Sequence, residues 1–129
     1  MQICVTAVSD NLEAQIDPRF GRCPYFVIVD SETMEFEAVS NIATGSMSGA
    51  GIQAAQTIVS KGAEVVLTGN IGPNAFQALS TARIKVFTGV SGNVKEVVEK
   101  YKRGELKETN SPTVRGHFGR PEVRGRGGR

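Results

Sequence analysis

The chain has 129 residues, 40% of them apolar and none of them Trp, which suits one domain with an aliphatic core. No apolar run approaches the ~18 residues that a membrane span needs. The N-terminus MQICVTAVSD also lacks the basic and long apolar segments of a secretory leader, so a cytoplasmic location is expected.

Charge is uneven along the chain. Residues 1–102 carry eight Lys/Arg against ten Asp/Glu, whereas residues 103–129 carry seven against three. The end, RGHFGRPEVRGRGGR, is rich in Gly and poor in large apolar side chains. Such a segment buries too little surface to offset the entropy of ordering. The expectation is a folded domain over 1–102 and a basic, flexible tail over 103–129. Two cysteines, Cys4 and Cys23, make neither a disulfide framework nor a CxxC pair.

In chain order, QICVTAV (2–8) is continuously apolar and rich in β-branched residues, as a strand covered on both faces requires. The loop IDPRFGRCP (16–24) follows, with two arginines, a cysteine and two prolines. YFVIVD (25–30) reads as a second buried strand. MEFEAVS (34–40) alternates apolar with charged, which predicts a half-exposed edge strand in a hairpin with it. ATGSMSGAGIQ (43–53) is a small, Gly-rich loop that ends at a helix. IQAAQTIVSKG (52–62) supplies that helix, with Ile52, Ala55, Ile58 and Val59 inward and Gly62 as its stop.

EVVLTG (64–69) and IKVFTG (84–89) are short buried strands. Between them, PNAFQALSTA (73–82) is a helix with Pro73 near its first turn, where a missing N–H costs nothing. NVKEVVEKYKRG (93–104) is a last amphipathic helix, and Asn93 and Glu96 have the spacing of a capping box. The β-α-β-α order of this half demands parallel strands with right-handed crossovers. With the hairpin, the expectation is an α/β fold: a five-stranded mixed sheet with helices on its faces.

Two strand ends share a pattern: Thr68-Gly69-Asn70-Ile71-Gly72-Pro73 and Thr88-Gly89-Val90-Ser91-Gly92-Asn93. Each aims the first N–H groups of a helix beyond a strand end, where anions and ligands of open α/β sheets bind. Glycines at such junctions also serve tight turns alone, and neither junction is a P-loop or GxGxxG. Arg19 and Arg22 can offset anionic charge or simply be solvated. Cys23, beside Arg22, can be a thiolate ligand for a soft metal or a small packed residue. His117 can be a lone metal ligand on the tail. No Ser/His/Asp set and no carboxylate cluster for two metals is present, so no enzyme activity is expected.

The segments RFGRCPYF, GSMSGAGIQAA and TGNIGPNAFQAL resemble the dinitrogenase iron–molybdenum cofactor biosynthesis family, over about residues 1–102. This is the NifX-like carrier fold, also the C-terminal domain of NifB-type proteins and a stand-alone protein in many archaea and anaerobic bacteria. The resemblance implies a ribonuclease H-like, three-layer fold whose second strand runs antiparallel. It implies a non-catalytic carrier for an anionic iron–sulfur-based cluster or an iron–molybdenum cofactor precursor, with cluster donor and recipient proteins as partners. Arg19, Gly21, Arg22, Cys23, Gly69, Asn70, Gly72, Pro73 and Asn74 fall on or beside the resembling segments, and Gly89 and Gly92 on the second junction. Where many relatives have a cysteine in the second motif this chain has Ile71, leaving Cys23 as its only loop cysteine. Two other functions stay open: RNA or protein binding through the Arg/Gly tail, and binding of a small metal-free anion at the same sheet edge.

Overall fold

A computed structural model describes residues 1–41 and 49–113. Eight elements follow one another: β1 (Gln2–Ala7), β2 (Tyr25–Asp30), β3 (Phe36–Ser40), α1 (Ala50–Ser60), β4 (Val65–Leu67), α2 (Pro73–Thr81), β5 (Lys85–Phe87) and α3 (Val94–Lys102). The sheet order is β3-β2-β1-β4-β5. β2 runs antiparallel to β1 and β3, while β1, β4 and β5 are parallel. This is the expected five-stranded mixed sheet, with β3 half-exposed at its edge.

Strand alternation splits the core into two layers, because successive side chains point to opposite faces. Cys4, Phe26, Ile28, Val66 and Val86 face one way and pack against Ala54, Ala55 and Ile58 of α1 and Ala75 and Leu79 of α2. Ile3, Val5, Val27, Val65, Leu67 and Phe87 face the other way, against Val94, Val97 and Val98 of α3. Each fully buried Ile or Leu in these layers contributes roughly 1.5–3 kcal/mol of transfer free energy.

Two sequence expectations are corrected here. In α1, Ala55 and Ile58 are buried as expected, but Ile52 and Val59 are 39% and 44% exposed. The helix begins at Ala50 and turns Ala50, Ala54, Ala55 and Ile58 inward, where the three small alanines let it lie close to α2. The folded part also continues past 102. Leu106 packs on the α3 layer, Glu108 bridges Phe87, and the Thr109 N–H donates to the Val86 carbonyl at 2.8 Å. Unpaired backbone groups on the edge strand β5 thus gain partners that composition alone does not reveal.

Candidate functional site

The carboxyl ends of β1 and β4 meet beneath the 16–24 loop. Thr6, fully buried, donates its hydroxyl hydrogen to the Asp17 carbonyl at 2.6 Å. Its oxygen lies 2.9 Å from the Thr68 hydroxyl. Since Thr6 has one hydroxyl hydrogen, Thr68 is the donor in that second bond. The loop then runs beside the end of β4: the Asn70 N–H donates to the Pro18 carbonyl at 2.7 Å, and the Phe20 N–H to the Asn70 carbonyl at 3.2 Å. Gly69 is required by this approach, because a Cβ there would sit 2.6 Å from Pro18 Cα.

Three small residues bring the other walls in. A Cβ on Gly21 would meet Gly51 Cα at 3.2 Å, and one on Gly51 would meet the Ala75 Cβ at 3.1 Å. The loop therefore sits on the first turn of α1, and α1 on the first turn of α2. Asn41 holds the loop from below, its side-chain amide donating to the carbonyls of Gly21 at 3.2 Å and Cys23 at 2.8 Å.

A cleft of about 470 Å³ results, within the usual range for small-ligand sites. Arg19, Gly21 and Arg22 line one side, Gly49, Ala50 and Gly51 another, and Asn70 through Ala75 the third. Among the described residues, no side chain caps either helix N-terminus in it. Among the described residues, the backbone N–H groups of Ala50, Gly51, Asn74 and Ala75 have no hydrogen-bond acceptor. Each helix start carries roughly half a positive charge.

Arg19 is not an isolated cation. Its Nε and Nη2 donate to the two oxygens of the Asp17 carboxylate at 3.0 and 2.9 Å. Asp17 is only 2% exposed, whereas the Arg19 side chain is 64% exposed. The Arg19 hydrogen bonds hold the Asp17 carboxyl below the usual carboxylate range. Three of the five guanidinium N–H donors are unused by this pair and remain for a ligand.

Cys23 departs from the thiolate expectation. It is fully buried in the layer beneath α1 and α2 and does not line the cleft. Burial, reinforced by the Asp17 charge, pushes its thiol up to about 12, so it is protonated at neutral pH. A loop position in the sequence says nothing of which way the side chain turns, and here it turns inward.

Gly89 and Gly92 do not join the site either. The second junction is closed: Val94 and Lys95 N–H donate to the carbonyls of Ala14 and Leu12, and Glu96 N–H to the Asn93 side chain, completing the expected capping box. His117 and residues 42–48 lie outside the described residues. Among the described residues, no group of three or more His, Cys, Asp or Glu is arranged to hold a metal ion. None of the described helices is long and apolar enough to cross a membrane.

Asn41 and the Gly49–Gly51 wall were not among the sequence candidates. The only signal for the wall was SGAG, a helix start with neither Ser/Thr/Asp/Asn at its N-cap nor an acid in its first turn.

This is an α/β domain with a cleft at the carboxyl ends of parallel strands, walled among the described residues by two helix N-termini without side-chain caps. The chain belongs to the dinitrogenase iron–molybdenum cofactor family, whose model matches residues 1–104. The apo form of the orange protein from Desulfovibrio gigas is 43% identical and superposes with a TM-score of 0.85, covering 87% of this chain and 95% of that one. A putative NifB protein from Thermotoga is 32% identical with a TM-score of 0.74, over 87% of this chain and 97% of that one. An uncharacterized protein of Methanocaldococcus jannaschii is 30% identical over 97 residues, 73% of this chain and 82% of that one.

Proposed function

We propose that the protein is a non-catalytic carrier whose cleft holds a compact, preassembled metallocluster anion of the iron–molybdenum cofactor type. The observation that carries this is the pairing of two open helix N-termini with Arg19 and Arg22 around one cleft that, among the described residues, is lined by no thiol, imidazole or carboxylate. Such walls recognise negative charge and shape rather than donate ligands to a metal. The cargo must therefore arrive with its own coordination complete. Family membership and the likeness to a protein solved in its apo form support the same reading. Cluster donor and recipient proteins would be its partners.

The test is anaerobic isolation followed by metal analysis and a visible spectrum of the native chain and three variants. Loss of cluster in Arg22→Gln and Gly72→Asp, with retention in Cys23→Ala, is the expected pattern. Loss in Cys23→Ala alone would place the cargo on a thiolate and overturn the proposal. A metal-free protein that binds inorganic phosphate tightly would make the ligand a small metal-free anion instead.

A further inference from the structure

The turn from β4 into α2 forms the third wall of the cleft, and its backbone is held from three directions. The Gly69 carbonyl accepts from the Gly89 N–H at 2.9 Å, across the neighbouring junction. Asn70 is bonded through both its N–H and its carbonyl to the 16–24 loop, at Pro18 and Phe20. Ile71 is bonded to the chain beyond α3. Its N–H donates to Thr113 Oγ1 at 2.8 Å, and its carbonyl accepts from the Thr113 N–H at 2.9 Å. The Thr113 hydroxyl also donates to that carbonyl, at 3.3 Å.

This last grip bears on the cleft through a single peptide group. The Ile71 carbonyl and the Gly72 N–H belong to the same planar, trans unit, so they point in opposite directions. Two donors on the carbonyl therefore aim the Gly72 N–H away from Thr113. Gly72 lines the cleft, and among the described residues its N–H has no acceptor. The Ile71 side chain is 1% exposed and anchors its own Cα, but glycine on the other side leaves the joining peptide free to rotate. A donor that has to be oriented during binding costs affinity, and one already oriented does not.

We propose that Thr113 is a positioning residue of the cleft: it holds the peptide groups on both sides of Ile71 and so fixes the direction of the Gly72 N–H toward a bound anion. This rests on the cleft being an anion site and makes a residue 42 positions downstream of Ile71 part of its construction.

The probe is inorganic phosphate, titrated calorimetrically and followed by the Gly72 amide resonance. Thr113→Val keeps the backbone bond and the side-chain shape but removes the hydroxyl. It lowers affinity about threefold to tenfold, the net worth of one or two hydrogen bonds, and shrinks the phosphate-induced shift of the Gly72 amide. Thr113→Ser restores both. Thr109→Val removes the hydroxyl that accepts from the Thr88 N–H at 3.0 Å on the β5 edge, and lowers the urea midpoint without changing affinity. Native affinity in Thr113→Val, with Gly72→Asp still weakening binding, would overturn the positioning role and leave the cleft reading intact. Equal losses in Thr113→Val and Thr109→Val would assign the effect to attachment of the segment as a whole and overturn it too. So would a Gly72 amide that phosphate does not move in the native chain. If the native chain binds no phosphate, or Gly72→Asp binds it as the native chain does, the α2 end is no anion site and both statements fall.

Discussion

The two TGxxG junctions are spelled almost alike and do opposite things. After β5, the 12–16 segment lies over the start of α3 and accepts from its first N–H groups, and Asn93 and Glu96 complete the cap. After β4, the 18–23 loop stands beside the start of α2 instead of over it, held off by the Pro18–Asn70 and Phe20–Asn70 bonds. One helix start is therefore sealed by protein, and the other faces a cleft. The lesson is that a glycine-rich βα turn opens onto a cleft only when no other segment takes its N–H groups.

The sharpest way to break the contrast is at the paired glycines. Gly69→Val forces a side chain into the Pro18 backbone and should destabilise the fold by about 3 kcal/mol in urea unfolding. Gly89→Ala, with no atom within 4 Å of its new Cβ, should lose only the ~1–2 kcal/mol of its left-handed backbone. Equal losses would mean that the loop does not depend on that close approach.

Next in size is an attempt to make the open junction resemble the closed one. Gly72 has extended backbone and open space for a side chain. Gly72→Asp should change stability by only a few tenths of a kcal/mol, yet weaken anion binding, read with inorganic phosphate, about tenfold by capping and charging the α2 start. Unchanged affinity would remove α2 from the site. The reciprocal change, Asn93→Ala, should cost about 1 kcal/mol of stability and leave anion affinity alone.

The smallest effect is in acid. Because Asp17 has a folded-state pKa below its unfolded value, its contribution to stability is complete above the ordinary carboxylate range near ~3.9. It is lost as pH falls through that range toward the folded value. Between pH 7 and pH 3, the native chain should lose more unfolding free energy than Asp17→Asn. Superposable acid limbs would show that the Asp17–Arg19 pair carries no such linkage.

Much of the scaffold was legible because it rests on local rules. Period-two and apolar runs marked all five strands, and the half-exposed character of 34–40 placed it at the edge. Asn93 and Glu96 announced their cap. Of the candidate site, Arg19, Gly21, Arg22, Asn70, Gly72, Pro73 and Asn74 do line one cleft, and Gly69 sits beneath it, holding the loop in place. Cys23 lies under it, and Gly89 and Gly92 lie elsewhere.

What the sequence determined by itself was the set of elements, the parallel half of the sheet and the edge at which the cleft opens. These follow from side-chain periodicity, turn chemistry and the handedness of crossovers. Only the tertiary structure decided which helix start stays open, which way Cys23 turns and where the chain beyond α3 attaches. Each depends on contacts between segments far apart in the chain: Leu12 and Ala14 with α3, Asn41 with Gly21 and Cys23, Thr113 with Ile71. No local period encodes a contact of that kind, because it is selected by the packing of the whole core.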